Sequence, residues 1–107
     1  VLAQTQNPNT VQLYGYCANP FMLITEVMDS SLRRHLRLLK EHGGIMSLKN
    51  MIKIWLGVAR GLAWFHLEGF THRDIKPDNV LLNYLDNDSS LISSVKICDV
   101  GTILYTL

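Results

Sequence analysis

The strongest constraint on this chain is a polar octapeptide, His72-Arg73-Asp74-Ile75-Lys76-Pro77-Asp78-Asn79, followed further on by Asp99-Val100-Gly101. Asp74, Lys76, Asn79 and Asp99 are ionisable or oxygen-donor side chains in a fixed order, and two such motifs together are far more specific than either alone. The octapeptide reads as a loop, because the residues on both sides of it are patterned for regular structure. Before it, Ser47 is a good N-cap, and Leu48, Met51, Ile52, Trp55, Ala59, Leu62, Ala63 and His66 recur at three- and four-residue intervals. That spacing predicts a long helix ending near Gly69, with Trp55, Trp64 and Phe65 assigned to its packing. Gly57 and Gly61 lie inside it, where each costs about 1 kcal/mol relative to Ala, so close backbone packing against a neighbour is expected to offset them. After the octapeptide, residues 80–82 predict a short strand, 83–90 a polar stretch and 95–98 a further strand. The run 86–90 is the most loop-like part, resembling an elongated hairpin between two strands.

Upstream, Asn7-Pro8-Asn9 is a turn signal, since Asn favours turn positions and Pro excludes helix just before it. Residues 10–17 and 21–28 then predict an antiparallel strand pair, the second nearly continuous in apolar side chains. From Ser30 the pattern changes to Leu32, Leu36 and Leu39 at helical spacing, with Arg33, Arg34, Arg37 and Lys40 on the other faces. This predicts a short surface helix ended by Gly43-Gly44.

With 107 residues and 48% apolar content the chain fits one globular unit. Ten basic against nine acidic residues leave a formal charge of +1, so no strong field directs the chain to nucleic acid or to an anionic membrane. Apolar runs are interrupted well before the roughly 20 residues that span a bilayer, so no membrane segment is expected. The opening residues lack a basic region followed by an apolar core, so no signal peptide is expected in them. Cys17 and Cys98 have neither CxxC spacing nor the density of a disulfide scaffold, which favours reduced thiols in a cytoplasmic or nuclear protein, or in the intracellular part of a membrane-anchored parent. His35, His42 and His66 have no metal-site spacing and are assigned to surface or core.

The octapeptide and the Asp-Val-Gly motif together resemble the catalytic core of the protein kinases. The resemblance extends upstream to Phe21-Met22-Leu23-Ile24-Thr25-Glu26-Val27-Met28, which looks like the strand leading into the hinge between the two kinase lobes. It implies an α+β, two-lobed fold present in part, with residues 1–28 ending the small lobe and its hinge strand and 29–107 opening the helical large lobe. It further implies transfer of the γ-phosphate of ATP to Ser or Thr hydroxyls of a protein substrate, with Mg2+ as the metal.

By the same resemblance Asp74 orients the substrate hydroxyl and acts as base, while Asn79 and Asp99 bind the metal ion. Lys76 places a positive charge near the transferred phosphate and marks Ser/Thr specificity. Thr25 corresponds to the gatekeeper, backbone groups of Glu26 and Met28 to the adenine contacts, and Leu81 to the nucleotide-site lining. Arg73 resembles the arginine that pairs with a phosphorylated activation loop. Leu2, Leu13, His72 and Val100 align with the apolar stack that joins the lobes, in which Val100 departs from the usual phenylalanine. Tyr14-Gly15-Tyr16-Cys17 and Ala59-Arg60-Gly61-Leu62 are reminiscent of the tyrosine-kinase-like branch of these enzymes.

The glycine-rich nucleotide loop and its lysine are outside these 107 residues, so the expected enzyme is a longer kinase, and the 107 residues alone are expected to be inactive. The alternative is a catalytically silent scaffold, which Val100 favours and the intact Asp74, Lys76, Asn79 and Asp99 oppose.

Overall fold

A computed structural model describes residues 7–69 and 75–98. Leu2, His72, Arg73, Asp74, Asp99 and Val100, to which roles or stack positions are assigned above, lie outside the described residues. In chain order the described elements are β1 (Leu13–Ala18), β2 (Phe21–Thr25), β3 (Ser30–Ser31), α1 (Leu32–Glu41), α2 (Leu48–Leu67), a 3-10 turn (Pro77–Asn79), β4 (Val80–Leu85) and β5 (Asp88–Ile97). Strands β1 and β2 form the expected antiparallel pair, and β3, β4 and β5 form a second antiparallel sheet in that order. The second strand is shorter than the apolar run suggests: the chain leaves the β1 ladder after Thr25 and reaches β3 through residues 26–29.

The hairpin of β4 and β5 is longer than its polar sequence indicates. Asp86 and Asn87 both have positive φ, 51° and 60°, a conformation these two residue types tolerate and one that joins twisted strands with two residues. Residues 83–85 and 88–94 therefore pair or lie alongside one another instead of forming a loop. Irregular register after Asn83 breaks the ladder there, and α2 supplies the missing partners. Asn50 donates to Ser90 O at 3.0 Å and accepts from Ile92 N at 3.4 Å, while Lys53 donates to Ile92 O at 2.7 Å.

Both helices start on serine caps. Ser31 accepts from Arg34 N and Ser47 from Asn50 N, each at 3.1 Å. Helix α1 leaves through Gly43, whose φ of 69° turns Gly44 N back to Leu39 O at 2.8 Å. Its buried residue is His35, not Leu36, because the face that meets β4 runs through Leu32, His35 and Leu39. His35 Nδ1 and Tyr84 Oη share a hydrogen bond of 2.8 Å.

Helix α2 lies on β5 through Asn50, Ile54, Gly57, Gly61 and Phe65. The stripe expected from spacing points elsewhere: Leu48, Ile52, Trp55, Ala59, Ala63 and His66 are exposed, Trp55 at 64%, so its assignment to packing is corrected. The helix is apolar on more than one side, and periodicity alone selected the wrong one. Gly57 and Gly61 decide the matter. A Cβ on Gly57 would stand 2.6 Å from Val95 Cβ, and one on Gly61 2.7 Å from Asn9 O and 2.9 Å from Ile97 Cγ1. The core under this contact comprises Ile54, Phe65, Val80, Leu82, Ile92, Val95 and Ile97. Cross-strand pairs Val80 with Ile97 and Leu82 with Val95 put these side chains on the α2 face of the sheet.

Gly61→Ala is expected to lower stability by about 2 kcal/mol, since overpacking against a fixed backbone oxygen exceeds the gain in helix propensity. A urea midpoint equal to or above the wild-type value would contradict the contact. Burial holds the His35 imidazole below its ordinary value of 6.5, so the folded state favours the neutral ring. The associated stability is present above that value and is lost as the pH falls through the lowered one. Thermal midpoints should therefore fall on acidification, and His35→Gln, which keeps a partner for Tyr84 but cannot titrate, should reduce that slope.

Candidate active site

The site is assembled at the edge where the end of the octapeptide meets the end of β5. Pro77 opens the 3-10 turn, with a ring that fixes φ and lacks an N–H the first position would not use. Asn79 N donates to Lys76 O at 2.9 Å, closing the turn, and Cys98 N donates to Asn79 O at 2.8 Å. Lys76 and Asn79 thus share one turn, whose end is bonded to the residue preceding Asp99 in sequence. Lys76 is exposed and Asn79 half-buried. Asp74 and Asp99, the other two members of the expected set, lie outside the described residues.

Residues 9–11 line the outer side of β5: Ile97 N donates to Asn9 O at 2.9 Å and Val11 N to Ile97 O at 3.0 Å. Asn9 Nδ2 adds a bond of 3.1 Å to Val95 O. The Asn7-Pro8-Asn9 turn therefore clamps the strand that leads to Asp99, a role its turn chemistry alone does not reveal. Leu13, expected in the inter-lobe stack, is buried.

The segment that follows β2 reaches the same strand from the other side of the sheet. Glu26 N donates to Gln12 O at 3.0 Å, and the Glu26 carboxylate accepts from Lys96 Nζ at 2.5 Å. Both side chains are mostly buried, at 18% and 19% exposure. Lys96 pairs across the ladder with Leu81, which in turn pairs with Ser31 of β3. Paired residues share a face, so Leu81 and Lys96 lie on the side away from α2, the side on which Lys96 meets Glu26. Thr25 ends β2, half-buried, and its hydroxyl donates to Glu26 O at 3.2 Å. A carbonyl oxygen has two lone pairs, so this bond leaves Glu26 O capacity for a second donor. Met28 is half-buried on the segment between Glu26 and β3.

Two ion pairs escaped the sequence reading. Lys96 is a lone cation between Val95 and Ile97, and a charge within an apolar strand signals a partner, though not which one. Arg33 of α1 pairs with Asp78 of the turn at 3.2 Å in an exposed contact, for which spacing in sequence gives no sign. Asp29 was also missed; it accepts from Tyr84 N at 2.8 Å while Asn83 Oδ1 accepts from Asp29 N at 3.0 Å, fastening the segment before β3 to β4. Among the described residues no cluster of three His, Cys, Asp or Glu could hold a metal ion, and no helix is long and apolar enough to cross a membrane.

Residues 1–104 match the protein kinase domain, and the chain belongs to that family. It is 33% identical over 105 residues to the serine/threonine/tyrosine-protein kinase HT1 of Arabidopsis thaliana, covering 95% of this chain and 25% of that protein. It is 30% identical over 83 residues to the human serine/threonine-protein kinase 16, covering 71% of this chain and 27% of that protein. The chain thus spans about a quarter of the length of these relatives.

The Glu26–Lys96 pair is buried enough that removing one partner strands a charge. Lys96→Met is expected to cost about 2–3 kcal/mol, and Lys96→Met with Glu26→Leu distinctly less. Equal losses in the single and double variants, measured by urea unfolding, would show that the pair is not coupled.

Proposed function

We propose that this chain carries the hinge and catalytic loop of a protein serine/threonine kinase, residues 1–28 closing the small lobe and 29–107 opening the large one. The carrying observation is the 2.8 Å bond from Cys98 N to Asn79 O, which supports a site shared by two motifs distant in sequence. Mg2+-bound ATP, when present, supplies the transferable phosphoryl group and the charge that offsets its oxygens. The donor chemistry suits that group. Asn79 and Asp99 offer a hard amide oxygen and a carboxylate, and Glu26 O with the Met28 backbone offers the hydrogen-bonding edge for adenine.

In this reading Asp74 accepts the proton of the substrate Ser or Thr hydroxyl and aligns its oxygen for in-line attack. Lys76 holds positive charge beside the phosphoryl oxygens as their charge spreads. Thr25, with a small side chain, leaves room behind the adenine position, and Leu81 gives the nucleotide an apolar floor from the sheet face opposite α2. The two thiols, neither in a disulfide, support a cytoplasmic setting.

In the full-length protein Asp74→Ala and Asp99→Ala should each reduce kcat by orders of magnitude, and Lys76→Ala by about a hundredfold, with unfolding midpoints little changed. Transfer of labelled γ-phosphate to a Ser or Thr peptide is the readout. Undiminished turnover in either aspartate variant would remove the mechanism. Nucleotide binding without any transfer by the wild type would favour a silent scaffold, the reading that Val100 supports.

A further inference from the structure

We propose that Arg33, Arg37 and Lys40 of α1 form a docking stripe for acidic residues flanking the phosphoacceptor of the protein substrate. This deepens the kinase reading above and rests on it. The three positions are spaced by four and three residues, which puts them on one face of the helix. The phase of that face is fixed independently: the Ser31 cap starts the helix, and His35 against Tyr84 turns the opposite side inward. Arg33, Arg37 and Lys40 are exposed.

The stripe begins at the candidate active site. Arg33 Nη1 contacts both carboxylate oxygens of Asp78, at 3.4 and 3.2 Å, on the 3-10 turn that also holds Asn79. This pair offsets the charge of Asp78, two residues along the chain from Lys76, a carboxylate that would otherwise repel an acidic peptide and attract a basic one. From Arg33 to Lys40 the helix rises about 10 Å. An extended peptide covers that distance in about three residues, so carboxylates within a few positions of the acceptor residue can reach the stripe.

Lys40 stands in the last turn, where the helix dipole favours a cation, but the arginines are held against the stability of the helix. Arg33 and Arg34 stand in a first turn that contains no acid, where the helix dipole disfavours positive charge. Arg33 with Arg37 and Arg37 with Lys40 are like-charge neighbours, which destabilise a helix. Among the described residues no carboxylate forms an ion pair with Arg37 or Lys40. Local rules broken together at the rim of a site are the mark of a surface shaped for a ligand.

The test uses full-length protein and three labelled peptides with one acceptor Ser, flanked by Asp/Glu, by Ala/Gln or by Arg/Lys, read by fluorescence anisotropy and by phosphate transfer. The acidic peptide should bind about tenfold more tightly than the neutral one at low salt, and the preference should shrink as salt rises. The double variant Arg37→Glu/Lys40→Glu should lose that preference while keeping kcat on the neutral peptide. Arg33→Ala, which releases Asp78, should raise affinity for the basic peptide. No acidic preference in the wild type, or a preference that survives the double charge reversal, would overturn the proposal. So would phosphatidylserine vesicles that displace no acidic peptide yet bind through the same three side chains. Acidic-peptide binding with no transfer to any peptide would instead sink the kinase reading, and with it the stripe's role beside a phosphoacceptor, leaving only an acidic-peptide site.

Discussion

Everything at the candidate site hangs on how closely α2 approaches β5. Gly57 and Gly61 allow the helix backbone to sit where a single added carbon would overlap Val95, Ile97 or the Asn9 carbonyl. At that separation Ile54 and Phe65 reach the inner face of the hairpin, and the core closes around Leu82, Ile92 and Ile97, which are almost wholly buried. The strand so fixed is the one that bonds Asn79 through Cys98, holds Glu26 through Lys96 and accepts the Asn9 turn along its edge. A shift of α2 would move all three attachments together. Two residues that each weaken an isolated helix by about 1 kcal/mol are therefore repaid through tertiary packing.

Local signals were legible where local chemistry sets the structure. Ser47 capped α2, Gly69 followed its end, and β1 and β2 paired as the two apolar runs indicate. The glycine contact was legible as well, because glycines inside a helix ask for a reason. What failed was choice among faces and the length of the hairpin. Helix α2 is apolar over much of its circumference, and spacing selects an apolar stripe without saying which stripe meets the sheet. Residues 83–90 are polar because they lie at a sheet edge, yet Asp86 and Asn87 turn so tightly that their neighbours still pair. The same limit hid Asn50, which reads as a polar helix residue and serves as the partner of a broken ladder.

At the candidate site the sequence offered residue types and their order, and it concealed the supports. Lys76 and Asn79 stand out by type and order, and the structure puts them on one turn. The groups that fasten β5 and the segment between β2 and β3, namely Asn9, Asp29, Glu26 and Lys96, act through contacts between residues up to 86 positions apart. No periodicity encodes such a pairing; only the fold does. Arg33 shows the same thing at the surface, where a basic residue in a polar helix is unremarkable until the helix is seen beside Asp78.

The turn at Pro77–Asn79 separates the work of folding from the work of chemistry. Its backbone is held by Asn79 N on Lys76 O and by Cys98 N on Asn79 O, bonds that do not depend on side-chain identity. The buried side chains that stabilise the region, Val80, Leu82 and Ile97, begin one residue later and point the other way. Polar side chains at the turn are consequently released from any duty to fill the core, and their exposure costs the fold little. A loop in that position can carry charges too close together for a protein interior, provided that a rigid strand and helix fix its two ends. That is the physical reason a dense polar run can follow an apolar helix and precede an apolar strand without unravelling either.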